Sequence, residues 1–358
     1  MEREDHIVLT NFSKIDVNDS FFQSLRASYS EFDEWFRRKA ALDEKAYVSY
    51  DVNHNLIAFV YLKKEHEIDD DVVPSLTGKR LKIGTFKVDF KHHSALGKRL
   101  LAIVMRKFAE LSNEYKYLYV TLYANDNTMG LQRLLQKYGF SKYGVKNGKE
   151  LVFRKMVPDP NGKNDVYQLF PFFSQNEGND YLLAILPKYH NKMFGEVDLK
   201  SERHSLVEDT SSINSIEKIY LSASINAMKL IEGDHVVAYR MNDNMGPAYY
   251  RSVITSVGTI TEVKSIRDFS SYDVFYRFVK GKSIFTDEEL NDFWHTKKYP
   301  WIIKFIYNFS FATYPNRKLL LEKGVINQEQ RIVIEPIQKT KFKEILEMGD
   351  TNENFVID

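Results

Sequence analysis

The chain has 358 residues, with 50 Lys and Arg against 49 Asp and Glu, a net charge of +1 and no cysteine. That length suits two domains better than one, since domains run to roughly 100–200 residues. The even charge does not mark a general polyanion binder, and the absence of cysteine excludes disulfides, thiolate metal sites and a cysteine nucleophile. Aromatic residues make up 14% of the chain, a share that suits strands and stacking surfaces. No apolar run approaches the roughly 18 residues of a membrane span. The opening MEREDHIVLTNF is acidic and polar and does not read as a secretory signal, so a cytoplasmic protein is the expectation.

In chain order, Phe21, Phe22, Leu25, Tyr29, Phe32, Trp35 and Phe36 recur at helical steps. AYVSYDVNHNLIAFVYLKK reads as two strands around a turn at residues 52–55. RLKIGTFKVDF predicts a strand, and a helix is expected from Ser94 to Leu111. YKYLYVTLYA predicts another strand, and TMGLQRLLQKYGF a short helix with Leu131, Leu134, Leu135 and Tyr138 on one side. A hairpin should turn at Asn147-Gly148, the strongest short hairpin signal. VPDPNGKND then marks a linker. The expected organisation is a domain over 1–157, a connector over 158–207 and a second domain over 208–358, with its core at about 212–311.

In the second domain EKIYLS, HVVAYRM and YYRSVITSVGTITEV read as strands, the last as a strand pair, with a turn at Gly233-Asp234. Thr286 and Glu289 form a capping box ahead of the helix DEELNDFWHT, and KFKEILEM predicts a final helix.

One stretch of the first domain carries chemistry. Between the strand ending near Val88 and the next helix lies Lys91-His92-His93-Ser94-Ala95-Leu96-Gly97. A helix N-terminus offers unpaired amides and partial positive charge, and so binds anions. Leu96, Leu100, Val104, Phe108 and Leu111 form a core face, leaving Lys98, Arg99, Arg106 and Lys107 for solvent or ligand. An ordinary basic amphipathic helix explains the same residues. His92 and His93 are adjacent and cannot easily face one ion together, so no metal is expected.

The order of these elements resembles the GCN5-related N-acetyltransferase (GNAT) family over roughly Ile7 to Met156. His92, Ala95 and Gly97 fall on the family's pyrophosphate motif, and YLYVTLYANDN with LLQKYGF matches its second half. The resemblance implies acetyl-CoA as co-substrate. Its pyrophosphate would sit on amides from His93 to Lys98, with Ser94 and Leu96 in that turn, and its pantetheine arm would lie along Thr85, Phe86, Lys87 and Val88. Asn127 joins this cofactor-side set by the same resemblance. His92 stands where the family has Arg or Gln, Ala95 replaces the first glycine, and Leu135 occupies the place of a frequent tyrosine acid. Thr85 and Tyr138 remain as catalytic candidates, and the central strand carries no carboxylate.

The second domain is similar to the PUA-like superfamily, which includes ASCH and EVE domains, through Gly233-Asp234 leading to Tyr239-Arg240. That resemblance implies a small β-barrel that binds RNA or a modified nucleobase, with Arg240, Tyr249, Arg251, Lys280 and Lys282 as candidate contacts. The expected fold is therefore α+β: an N-terminal GNAT mixed sheet flanked by helices, then a C-terminal PUA-like β-barrel with helices. The expected function is acetyl transfer to an amine, with RNA or an RNA-linked substrate recognised by the barrel. Two alternatives stay open. One is a non-catalytic acyl-CoA-responsive regulator, and the other is an acetyltransferase of a protein or small molecule whose barrel binds a partner.

Overall fold

The computed structural model describes residues 7–89, 93–162, 165–194 and 215–358, and the side chains at 93–95 and 127 lie outside the description. The chain divides into two compact units, Met1–Val157 and Pro158–Asp358.

The first unit runs β1 (Ile7–Asn11), α1 (Gln23–Ser28), α2 (Phe32–Ala41), β2 (Lys45–Tyr50), β3 (Leu56–Glu65), β4 (Val72–Val73) and β5 (Arg80–Val88). It continues with α3 (His93–Glu110), β6 (Tyr117–Tyr123), α4 (Asp126–Lys137), β7 (Ser141–Lys146) and β8 (Glu150–Met156). The strands form one sheet in the order β1-β2-β3-β5-β6-β8-β7-β4. β5 and β6 run parallel, joined by α3, whereas the other described pairs of this sheet are antiparallel. At the β2–β3 turn the Asp51 carboxylate accepts the N–H groups of Asn53 and Asn55, and His54 takes a φ of 60°. The β7–β8 turn uses positive φ at Asn147 and Gly148, as a two-residue hairpin loop requires.

The helical stripe of the sequence splits at residues 29–31 into α1 and α2. Its rings, Phe22, Phe32 and Phe36, join Phe12, Phe59 and Tyr61 in an aromatic core. Phe12 meets Phe36 and Tyr61 edge-on at 4.9 and 5.2 Å, the geometry favoured by ring quadrupoles. α3 buries Leu96, Leu100, Leu101, Val104, Met105 and Phe108.

The second unit contains α5 (Val166–Leu169), β9 (Asp180–Ile185), α6 (Pro187–Met193), β10 (Glu217–Ser222), β11 (His235–Arg240), α7 (Ala248–Arg251) and β12 (Val253–Ser265). α8 (Tyr272–Val279), α9 (Asp287–Thr296), β13 (Trp301–Ser310), α10 (Arg317–Glu322), β14 (Ile334–Ile337) and α11 (Lys339–Met348) complete it. Its sheet order is β10-β13-β12-β11-β9-β14.

Three features differ from the sequence reading. Among the described residues β10 and β14 remain the two edges of the sheet, so it is mixed and open rather than a closed barrel. The expected strand pair at 249–263 is one 13-residue strand, β12, bent by register shifts at Val257/Gly258 and Ile260/Glu262. Gly258 is needed there because a Cβ would stand 2.6 Å from the Phe305 ring. The segment read as a connector supplies β9, whose six residues are all buried between β11 and β14. Asp180 anchors it, accepting from His235 Nδ1 at 2.8 Å and from Lys339 Nζ at 3.2 Å.

Candidate functional site

β5 and β6 pair over only three residues each, Leu81–Ile83 against Leu118–Val120. Beyond that point each strand follows its outer neighbour: β5 stays on β3 to Val88, and β6 stays on β8 to Tyr123. Among the described residues no pairing links 84–88 to 121–123. The two strands thus diverge at their carboxyl ends, just before the N-terminus of α3. In a parallel βαβ unit this is where ligands bind, because strand ends and helix amides converge there.

A cavity of about 800 Å³ opens at the divergence. Gly84, Thr85 and Phe86 line it from β5, Thr121, Leu122 and Tyr123 from β6, and Tyr29, Phe32 and Trp35 from the α1–α2 side. Arg38, Lys39, Lys63 and Lys82 bring four cations to its wall, against one carboxylate, Glu31. The Tyr29 phenol is pushed up to about 12 by burial, with Glu150 and Tyr123 adding to the effect, and so keeps its proton at neutral pH. Below the cavity, Glu65 accepts from Tyr119 Oη at 2.6 Å and from Lys63 Nζ at 2.7 Å, and Arg80 Nε lies 3.3 Å away. Burial raises the Glu65 carboxyl, but these hydrogen bonds outweigh it, and its pKa falls below the ordinary value. The Lys82 ammonium is pulled down by burial, with Lys146 and Lys63 adding to that and Glu65 opposing it.

The sequence-derived candidates separate clearly. Thr85 and Phe86 line the cavity. Lys87 turns to the α1 side, donating to the Phe21 carbonyl and to Ser24 Oγ, so it ties the strand to that helix. Val88 pairs with Ala58. His92 lies outside the described residues. The backbone of His93, Ser94 and Ala95 forms the start of α3. Leu96 is buried and Lys98 half-buried. A Cβ built on Gly97 would meet one atom, Val88 Cγ2, at 3.9 Å. Among the described residues, helix–strand packing therefore leaves room for a methyl group there. The backbone of Asn127 lies in the first turn of α4.

Arg99 and Arg106, read as free for solvent or ligand, are buried, 2% and 8% exposed. The apolar stripe of α3 is wider than the spacing indicated, and both arginines lie inside it. Tyr138 is fully buried at the end of α4 and does not line the cavity. Lys82, Lys63, Tyr29 and Tyr123 were missed. Strand alternation sets Lys82 and Gly84 on one face of β5, but nothing in the sequence says which face opens.

In the second unit Arg240 is 1% exposed and donates from Nε to Asn191 at 3.3 Å, so it is not a surface contact. Arg251 makes a two-pronged pair with Asp243. Lys280 pairs with Asp287 at 2.9 Å, and Lys282 donates to the Phe278 carbonyl at 2.9 Å. Tyr249 is partly exposed beside Tyr250. Each of these four cations has a partner within its own unit.

Neither a protein-family profile nor a curated protein matches the chain. Among solved structures, Arabidopsis thaliana NAA60 in complex with acetyl-CoA is 19% identical, over 42% of this chain and 100% of that one, at a TM-score of 0.30. The ribosomal-protein-S5-alanine acetyltransferase of Vibrio fischeri is 13% identical, over 44% of this chain and 94% of that one, at 0.31. A point mutant of the ZmASCH protein of Zymomonas mobilis is 6% identical, over 48% of this chain and 96% of that one, at 0.31.

Proposed function

We propose that the first unit is an acetyl-CoA-dependent N-acetyltransferase. The observation that supports it is the divergence of β5 and β6, which leaves an amide-bearing strand edge along one wall of the cavity, with α3 following β5 in the chain. The β5 edge at 84–86 would pair with an extended, amide-containing arm as a neighbouring strand does. The first-turn amides of α3 would meet its phosphates, and the open space over Gly97 leaves room for that approach.

The bound thioester supplies an activated acyl group. The chain's part is to hold an amine against it, and such positioning lowers barriers by several kcal/mol, up to ~7–11. A β5 amide would stabilise the developing oxyanion. The amine nitrogen forms the new C–N bond as the C–S bond breaks, the thiol leaves, and the amine proton passes to water in the cavity. Glu31 is the carboxylate of the lining that would receive it. Tyr138, buried away from the cavity, has no part in this scheme.

The test is calorimetric titration with acetyl-CoA, together with thiol release in the presence of amines. The chain has no cysteine, so a thiol reagent reports released coenzyme A without background from the protein. Micromolar binding and amine-dependent thiol release are expected. Gly97→Glu sets bulk and like charge against the phosphates and should weaken binding by more than about tenfold. Unchanged affinity in that variant overturns the phosphate-cradle reading.

A further inference from the structure

Two lysines stand directly opposite each other on the central strands of the first unit. Lys63 of β3 and Lys82 of β5 are register partners, so they share a face with Cβ atoms roughly 4.5–5.5 Å apart. Like charges in that arrangement repel and cost stability. Lys63 has a partial remedy in Glu65, 2.7 Å away. Lys82 has no hydrogen bond or ion pair among the described residues, and its ammonium lies 5.6 Å from the Tyr119 ring. Glu65 and Asp69 act on it only from a distance, opposed by Lys63 and Lys146. Arg38, on the opposite wall, is exposed and equally uncommitted. Lys39 is drawn partly to Glu44, at 3.4 Å, and lies over the Tyr61 ring at 5.0 Å.

A fold that sets two cations side by side at the edge of an aromatic-walled cavity carries a cost that a bound anion removes. Phe32, Trp35 and Phe86, which line the same cavity, are planar and largely apolar. The half-buried Lys82 ammonium attracts an anion more strongly there than it would in water. A cationic acceptor, such as a polyamine or a lysine-rich tail, would meet the wrong sign here.

We propose that the cavity edge at Lys63 and Lys82 is an oxyanion subsite, so that the acceptor is an amine whose planar body also bears a carboxylate or phosphoryl group. This inference rests on the acyl-transfer reading for the word acceptor, but the subsite itself is testable without turnover.

The experiment uses the full chain and three probes: benzoate, its neutral isostere benzamide, and inorganic phosphate. Binding is read from thermal stabilisation across a concentration series. Benzoate should bind at least about tenfold more tightly than benzamide, the equivalent of one uncompensated charge contact. Lys82→Gln should bring the two ligands level. Without ligand, that variant should melt above the parent, since the cross-strand repulsion is gone. Lys63→Gln, at the more exposed position, should lower the preference for benzoate in the same direction and serves if Lys82→Gln does not fold. Stabilisation by phosphate that Lys82→Gln abolishes, without benzoate selectivity, assigns the subsite to a phosphoryl group. Equal binding of benzoate and benzamide with no Lys82-dependent phosphate effect overturns the proposal, as does selectivity that survives both substitutions. Acetyl-CoA titration of the same protein separates the two readings. Cofactor binding without anion selectivity defeats the subsite alone. Anion selectivity without cofactor binding defeats the acyl-transfer reading.

Discussion

Gly84 shows how one missing side chain sets the cavity floor. A Cβ at this position would stand 2.9 Å from Tyr61 Cδ1, closer than carbon atoms pack. The Tyr61 ring is 1% exposed and carries the contacts with Phe12 and Lys39 described above, so it has little room to yield. Gly84→Ala should cost about 1–3 kcal/mol by overpacking, read as a lower urea midpoint at unchanged slope. An unchanged midpoint would mean that the ring shifts without penalty. The glycine is plain in the sequence, but its reason is not, because the ring it accommodates belongs to the neighbouring strand. Arg99 and Arg106 mislead in the opposite sense. A charged side chain at the border of an apolar stripe looks solvated until the width of the buried face is known. His190 is another residue whose role only burial reveals. Its Nε2 lies 2.7 Å from Thr255 Oγ1, and burial, helped by Arg240, lowers its pKa to about 3. The unfolded chain takes up this proton near 6.5 and the folded chain only near 3. Stability should therefore fall as pH drops through that window. Denaturation midpoints between pH 7 and 4 should flatten in His190→Gln, and an equal slope in the variant would show that other groups carry the acid sensitivity.

Among the elements, the ones written in local chemistry were the most legible. The Asn147-Gly148 turn adopts the positive φ angles its residues favour. Thr286 caps α9 by accepting the Glu289 N–H, and Glu289 returns the bond to the Thr286 N–H. Thr286→Ala should cost about 1 kcal/mol, seen as a lower melting temperature of the second unit. A loss below about 0.3 kcal/mol would mean that solvent replaces the cap. Elements defined by distant partners were less legible. β9 is a short apolar run within a polar region, and only its neighbours β11 and β14 make it a central strand. β12 carries bulges that break its alternation, so the sequence reads as two pieces. The site divides in the same way. The strand β5 and the helix α3 that follows it are close in the chain and could be read. The facing wall, α1 with α2, and the cation pair across β3 and β5 arise from register, and register is not visible in one sequence.

At the scale of the molecule, the two units carry separate cores and different pairing rules. The first unit is mostly antiparallel, with two tight hairpins, β2–β3 and β7–β8, and one parallel crossover through α3. In the second, β9 pairs parallel with β11, across the stretch that includes β10, and antiparallel with β14, where Leu183 meets Ile334. That difference sets an order in time. A growing chain has every strand of the first sheet once residue 156 has emerged. The second sheet must hold β9 unpaired on one side until residue 337 is made. Closing so long a loop is slow, because its entropy is lost before any contact repays it. Meanwhile β9, which becomes fully buried, presents an edge of unpaired backbone N–H and C=O groups to whatever is nearby. The wait of one short strand for its last neighbour is therefore a step open to aggregation, long after the chain of the first unit is complete.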